Sequence, residues 1–159
     1  KDNARRMVLA FKHGDRLDLA RPAAAWLLRA AEPLLQPNML VAPIPLHWTR
    51  RLKRRYNQAA MLSRGLARAA GLEHCPDLLI RRRNTQSQEG RGRDDRFANM
   101  AEALAAQPQR AKRIEGRHIL LIDDVMTSGA TFAAAAEACI AQGAIGISVL
   151  ALARVAKDA

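Results

Sequence analysis

The chemistry of this chain is concentrated in one stretch, His118-Ile119-Leu120-Leu121-Ile122-Asp123-Asp124-Val125-Met126-Thr127-Ser128-Gly129-Ala130-Thr131. An apolar run ends in two carboxylates, then turns through hydroxyls into an alanine-rich segment. Carboxylates accept hydrogen bonds, and Asp123 and Asp124 together suit a vicinal diol such as O2 and O3 of ribose. The head of the helix that follows turns backbone N–H groups and the positive end of its dipole toward an anion. Thr127, Ser128 and Thr131 add hydroxyl donors, Ala130 opens the helix, and Gly129 lets the backbone approach a phosphate closely. The whole reads as a receptor for a phosphorylated sugar. A plainer reading is a buried strand followed by an ordinary capped helix. An NTPase-like acid pair is a poorer match, because no G-x-x-x-x-G-K-[ST] occurs in the chain.

Such a receptor needs elements to hold it. The strand must deliver its acids to the carboxyl edge of a parallel sheet, where open α/β folds bind ligands. A strand is expected over 118–123, a helix over 130–142 stopped by Gly143, and a last strand over 145–153. Both strands are apolar on each face, as buried parallel strands are. Upstream, helical patterns cover 3–13 and roughly 15–36, the second interrupted or restarted at Pro22. Residues 40–46 read as a short strand running into a loop. Asn57 is placed to cap a helix through Met61, Leu62, Leu66 and Ala69 that stops at Gly71. Residues 77–82 suit a short strand, 83–99 a long loop, and 98–106 a weak helix broken by Pro108. Strands alternating with helices predict an α/β fold with a mostly parallel sheet flanked by helices.

The 159 residues suit a single domain, 1–159, with a sheet of five or six strands. No run approaches the ~20 apolar residues of a membrane helix, and no secretory signal is visible. Cys75 and Cys139 form no metal-ligand spacing, and Cys139 reads as a small core residue. A reduced, cytoplasmic setting follows. The balance of 26 basic against 15 acidic residues leaves +11, which favours polyanionic partners or reflects an arginine-rich genome.

Much of that charge sits in two loops. In the first, Pro43 and Pro45 stiffen a strand exit that runs through Trp48, Arg50, Arg51, Lys53, Arg54 and Arg55 to Asn57. A pyrophosphate at that exit meets backbone N–H groups around Ile44 and Leu46 and the Arg51 guanidinium. Trp48 beside Arg50, Arg54 and Arg55 offers base stacking with phosphate contacts, a single-stranded nucleic-acid patch. The second loop, 81–100, carries six arginines among Thr, Gln and Asn. A charged solvated loop is one reading, and a binding element over a site is the other.

The segment 118–131 resembles the phosphoribosyl-pyrophosphate (PRPP) signature of type I phosphoribosyltransferases. Ser128 departs from that signature by replacing the usual second Thr, which keeps the hydroxyl. Taken with Pro43-Ile44-Pro45-Leu46, Arg51, Tyr56-Asn57-Gln58, Arg83, Thr85, Gln88, Arg96 and Asn99, the chain resembles the ComF family of competence-associated phosphoribosyltransferase-like proteins. Phe11-Lys12-His13-Gly14 is similar to a helix end of that family. The resemblance implies the type I phosphoribosyltransferase fold, with Asp123 and Asp124 on the ribose hydroxyls. It places Thr127 to Thr131 on the 5′-phosphate, and Ile44, Leu46 and Arg51 on the pyrophosphate. It makes Arg83, Thr85, Gln88 and Asn99 part of a flexible loop, with Arg96 catalytic beside the acid pair. Mg2+ is implied as a companion of PRPP, reached through the ligand near Asp123 and Asp124 and not by a direct metal site. A link to DNA uptake is implied too, with single-stranded DNA and other competence proteins as partners on the cytoplasmic side of the membrane. Many members begin with a four-cysteine zinc module that the given residues do not contain; either the chain is cut upstream of Lys1 or that part was lost, and zinc is not expected for these residues.

Two functions follow from one pocket. An enzyme would pass a ribose 5-phosphate unit from PRPP to a nitrogen nucleophile, with Arg51, and Arg83 or Arg96, neutralising the departing pyrophosphate. A binding protein would sense PRPP or seat a nucleotide end of single-stranded DNA. No acceptor hood and no general base are visible; His47 and His118 qualify by type only and read first as structural or surface residues.

Overall fold

The computed structural model describes residues 20–46, 57–82 and 104–155. Among them the elements run α1 (Ala20–Ala31), a 3-10 turn (Glu32–Leu34), β1 (Leu40–Pro43), α2 (Gln58–Ala70), β2 (Glu73–His74) and β3 (Leu79–Arg81). Then follow β4 (Leu104–Ala106), a second 3-10 turn (Pro108–Arg113), β5 (His118–Met126), α3 (Ala130–Ile140) and β6 (Gly146–Arg154). Four strands form a parallel sheet in the order β2-β1-β5-β6, and β3 pairs antiparallel with β4 in a separate ribbon.

Alternation along the two central strands builds two cores. Leu40, Ala42 and Ile44 of the β1 segment, with Ile119 and Leu121 of β5, face Phe132, Ala134, Ala135 and Cys139 of α3 and Leu79 and Leu104 of the ribbon. Met39, Val41, Leu120 and Ile122 point the other way, onto Ala23 and Leu27 of α1 and Leu62, Leu66 and Ala67 of α2. The period of two sends successive residues to opposite layers, so both faces of these strands must be apolar. Helices α1 and α2 approach closely because Gly65 has no side chain; a Cβ there would lie 2.8 Å from Cβ of Ala24. Gly71, at φ +66°, ends α2 in the left-handed conformation expected of a C-cap glycine.

Several expectations need correction. Residues 104–106 are not helical. Leu104, Ala105 and Ala106 are intrinsic helix formers, yet β3 offers backbone partners and the core takes Leu104, so tertiary pairing prevails. Pro108 opens a 3-10 turn instead of ending a helix. Among the described residues the parallel sheet has four strands. β6, expected to be buried on both faces, borders only β5 among the described strands and is half-buried along most of its length, with Val149 41% exposed. Trp26, within the helical pattern expected over 15–36, is 55% exposed. The expected 3–13 helix lies outside the described residues.

Candidate functional site

Two loops leave the sheet in opposite senses. From β1 the chain goes through α2 to β2 on one side; from β5 it goes through α3 to β6 on the other. The two helices cover opposite faces, so the connections after β1 and β5 part at the strands' carboxyl ends; this is the topological switch point, the place where open α/β sheets form a ligand crevice.

Proline decides where the crevice begins. Ile44 N–H donates to the Ile122 carbonyl at 2.8 Å, the last rung from the β1 segment to β5. Alternate N–H groups of a strand point to opposite edges, so Pro43 and Pro45, which lack one, face the β2 side. There β2 ends at His74, and Cys75 N–H reaches Val41 O at 2.9 Å, so the missing donors break no rung. Ile44 N–H is thereby consumed by the sheet, and Ile44 is 3% exposed; its amide is not available to a pyrophosphate. Leu46 lies beyond the last rung and is half-buried.

Across the crevice β5 carries the acid pair. Asp123 follows Ile122 at the level where β1 leaves, and its neighbour toward β6 is Ala151. By strand alternation Asp123 continues the face of Ile119 and Leu121, and Asp124 that of Leu120 and Ile122. Asp124 N–H donates to Asp123 Oδ1 at 2.8 Å. Burial pushes the Asp123 carboxyl up to about 7; the adjacent Asp124 charge adds to the rise, and the Arg81 guanidinium opposes it. Near neutral pH the pair therefore holds less than its full negative charge.

Beyond Met126 the bend Thr127–Gly129 leads into α3. Thr127 and Ser128 are exposed, Gly129 and Thr131 partly so, and Ala130 is buried as the first helical residue. Gly129 adopts φ +83°, which a side chain would oppose. Ser128 Oγ accepts a long bond from Ala130 N–H at 3.4 Å, so no side chain caps the Gly129 position closely. The first-turn amides of a helix have no intrahelical acceptor, and here they open onto the same edge as Asp123.

Asn57 and Arg81 complete the described rim. Asn57 stands at the N-cap of α2 but makes no cap hydrogen bond; its Nδ2 donates to Ile44 O at 3.3 Å instead. Its Oδ1 is buried without a hydrogen-bond partner. Arg81, at the end of β3, donates from Nε to Pro45 O at 2.8 Å. Sequence reasoning took Arg81 for one of several loop arginines. Only its place as the last ribbon residue distinguishes it, and that depends on a pairing with Leu104 which no local pattern announces.

Of the residues singled out from sequence, the structure brings Asp123, Asp124, Thr127, Ser128, Gly129, Ala130, Thr131 and Leu46 to one edge of the sheet. Trp48, Arg50, Arg51, Arg54, Arg55, Arg83, Thr85, Gln88, Arg96 and Asn99 lie outside the described residues, as does His47. His118 is at the amino end of β5, five residues and roughly 16 Å of strand from Asp123. There its Nε2 lies 3.0 Å from Ser148 Oγ. The other polar clusters are also remote from the crevice. Ser63 Oγ gives its proton to Ala60 O at 3.0 Å, so the 2.8 Å contact with His74 has Nε2 as donor. Glu73 pairs with Arg113 and Arg117 beside β2, and Asp77 with Arg110. Cys75 and Cys139 are buried free thiols, pushed up by that burial. Among the described residues no three of His, Cys, Asp or Glu gather to hold a metal. The acid pair does suit a hard cation that arrives with a phosphate ligand, since Mg2+ is commonly held by one or two carboxylates plus substrate oxygens.

No family model matches the chain. It is 28% identical over 130 residues to Competence protein F of Haemophilus influenzae, covering 79% of this chain and 56% of that protein. It is 30% identical over 155 residues to DNA utilization protein YhgH of Salmonella typhimurium, covering 93% and 66%. The chain thus spans between about half and two thirds of the length of these curated relatives. Among solved structures it is similar to glutamine PRPP amidotransferase of B. subtilis, with a TM-score of 0.54, 18% identity and coverage of 84% of this chain and 26% of that one. Adenine phosphoribosyltransferase of Saccharomyces cerevisiae gives a TM-score of 0.51 at 16% identity over 91% of this chain and 72% of that one. The order of the parallel strands, the acid pair at the switch point and these likenesses converge: the fold is that of the type I phosphoribosyltransferases, and the chain belongs to the ComF family, with Competence protein F and YhgH.

Proposed function

We propose that this chain binds PRPP, or a closely related phosphorylated pentose, in the crevice between β1 and β5, and serves DNA uptake by transferring or sensing the 5-phosphoribosyl group. One observation carries the reading: the acid pair and the hydroxyl-rich bend share the carboxyl edge where β1 and β5 part. In this reading Asp123 and Asp124 accept hydrogen bonds from the ribose hydroxyls. The amides and hydroxyls of Thr127, Ser128, Gly129, Ala130 and Thr131 hold the 5′-phosphate. Leu46 N–H, with Arg51 from the neighbouring loop, meets the pyrophosphate. Bound with the ligand beside Asp123 and Asp124, Mg2+ supplies charge neutralisation on the leaving group.

Transfer breaks the C1–O bond to pyrophosphate through a state with positive charge on the ring. Carboxylates fixed beneath the ribose favour that charge, and they do so only when ionised. Asp123, pushed up to about 7 while unliganded, should ionise more fully as ligand hydroxyls and cation arrive. Calorimetric titration of PRPP with Mg2+ into wild type and Asp123→Asn tests the pocket, and wild type should bind at least tenfold more tightly. Equal affinities, or no heat with wild type, would refute it. Pyrophosphate release with a panel of nitrogen nucleophiles then separates transfer from sensing.

A second reading has a specific motive, the +11 charge. Single-stranded DNA would be seated on the same basic rim, with Trp48, Arg50, Arg54 and Arg55 contacting bases and phosphates. Binding would then weaken steeply with salt. Arg54→Ala/Arg55→Ala should lower the affinity for a short oligonucleotide at low salt, and an unchanged affinity would reject the patch.

A further inference from the structure

The exit of β1 is held by side chains from two distant elements. Consecutive carbonyls, those of Ile44 and Pro45, are taken by Asn57 Nδ2 at 3.3 Å and by Arg81 Nε at 2.8 Å. A trans peptide is planar and its N–H points opposite to its C=O, so holding the Pro45 oxygen fixes the direction of Leu46 N–H. The proline ring already limits rotation on the near side of that peptide. What remains is set from outside, by a guanidinium.

Arg81 is well mounted for the task. Its backbone is the last β3 position, paired with Leu104, and Leu79 and Leu104 anchor the ribbon in the core beneath α3. The bond it gives is charge-assisted and therefore stronger than a neutral one. The same guanidinium is near enough to Asp123 to oppose the rise of that carboxyl.

We propose that Arg81, acting through the Pro45 carbonyl, is the positioning residue that aims Leu46 N–H at the pyrophosphate end of a phosphoribosyl ligand. The inference rests on the sugar-phosphate reading above and adds a residue which that reading does not use. It also separates the two ends of the ligand. Asp123, Asp124 and the 127–131 bend serve the ribose 5-phosphate portion; the Arg81 hydrogen bond serves the diphosphate, while its charge also opposes the rise of the Asp123 carboxyl.

Substitutions at Arg81 can distinguish its hydrogen bond from its charge. In Arg81→Gln the amide nitrogen falls at the same distance along the side chain as Nε, which keeps the donor and removes the charge. In Arg81→Met the length is kept and the donor is lost. In Arg81→Lys the charge is kept and the donor moves outward. Calorimetry with PRPP and Mg2+, and separately with ribose 5-phosphate, reads the two ends of the site. Losing one such bond is expected to weaken PRPP about tenfold in Arg81→Met. Both variants lose the charge that opposes the rise of Asp123, so ribose 5-phosphate should bind Arg81→Met and Arg81→Gln alike, within about threefold, while PRPP should bind Arg81→Gln about tenfold more tightly than Arg81→Met.

The inference is overturned if Arg81→Met keeps its PRPP affinity, if Arg81→Gln falls as far as Arg81→Met for PRPP, or if ribose 5-phosphate separates Arg81→Met from Arg81→Gln as strongly as PRPP does. Should Arg81→Met fail to fold, the comparison passes to Arg81→Gln against Arg81→Lys. Gln is then expected to bind PRPP more tightly than Lys, and the reverse order overturns the proposal. A wild type that binds ribose 5-phosphate but gains nothing from the diphosphate also overturns it. If wild type binds neither ligand, the sugar-phosphate reading itself fails and takes this inference with it.

Discussion

Asp123→Asn should stabilise the protein while impairing its site, and the gain should depend on pH in a defined direction. Burial and the neighbouring Asp124 push the Asp123 carboxyl from 3.8 up to about 7. A carboxyl whose folded value lies above its unfolded one favours folding only while protonated. That contribution is complete below about pH 4 and is lost as pH rises through about 7. The interval is roughly three pH units at about 1.4 kcal/mol each, so the ionised carboxyl costs at most about 4 kcal/mol above neutrality. Sharing of charge with Asp124 and relaxation of the half-buried pair bring the expected value to about 2 kcal/mol. Asparagine copies the protonated acid in shape and keeps an oxygen for the Asp124 N–H. Thermal melts of Asp123→Asn and wild type should therefore nearly coincide at pH 3.5 and differ at pH 8. For a chain of this length about 2 kcal/mol corresponds to roughly 4–8 °C, with the variant higher. A variant that melts lower at pH 8, or a difference that does not vary with pH, refutes the account of the acid pair as a strained, function-serving element. Reduced stability at a site kept for binding is the expected form of a stability–activity trade-off.

Gly146→Ala should be severely destabilising, because its Cβ would lie 2.5 Å from Nδ1 of His118. A loss of about 1–3 kcal/mol by denaturant melt is expected, and His118→Ala in the same chain should recover part of it. Gly129→Ala meets no neighbour within 4 Å but keeps φ at +83°, so only conformational strain of about 1 kcal/mol is expected, with weaker ribose 5-phosphate binding. Ser63→Ala removes the buried acceptor of His74 Nε2 and should lower stability by about 1–2 kcal/mol by chemical denaturation. Burial, with Arg64 and Arg113 behind it, depresses the His74 pKa below 6.5. The stability gained by keeping this ring neutral is thus present above pH 6.5 and lost as pH falls through the lowered value. Because Asp123 acts in the opposite sense over this range, the test is the difference in urea midpoint between wild type and His74→Gln: wild type should lose ground to the variant between pH 7 and 5, and an unchanged difference would contradict this.

Much of the site was legible as a one-dimensional pattern. Apolar residues 119–122 followed by Asp123, Asp124 and a hydroxyl-rich bend can hardly be placed except as a buried strand running into a helix head. The physical constraint is local: a strand apolar on both faces must lie inside a layered sheet, and its first polar residues must emerge at the end. The stops at Gly71 and Gly143 were equally local, since both glycines adopt φ above +60° where other residues are strained.

Other features were decided by contacts between segments far apart in the chain. Leu104-Ala105-Ala106 carries no strand signature and became β4 because β3 had an edge to pair. Ile44, taken from sequence as an anion contact, gave its amide to Ile122 once β5 lay beside β1. Asn57 left its cap for the Ile44 carbonyl, and Arg81 emerged from a run of similar arginines because the ribbon brought it to Pro45. β6 reads as a central strand but stands last in the order of the described strands, since strand order is not written in hydropathy. The sequence by itself determined which residues could hold a phosphorylated sugar, because that choice depends on residue type and local spacing. Tertiary structure alone decided which amides remain free to do so and which side chains aim them, because hydrogen bonds are allotted among groups that meet only after folding.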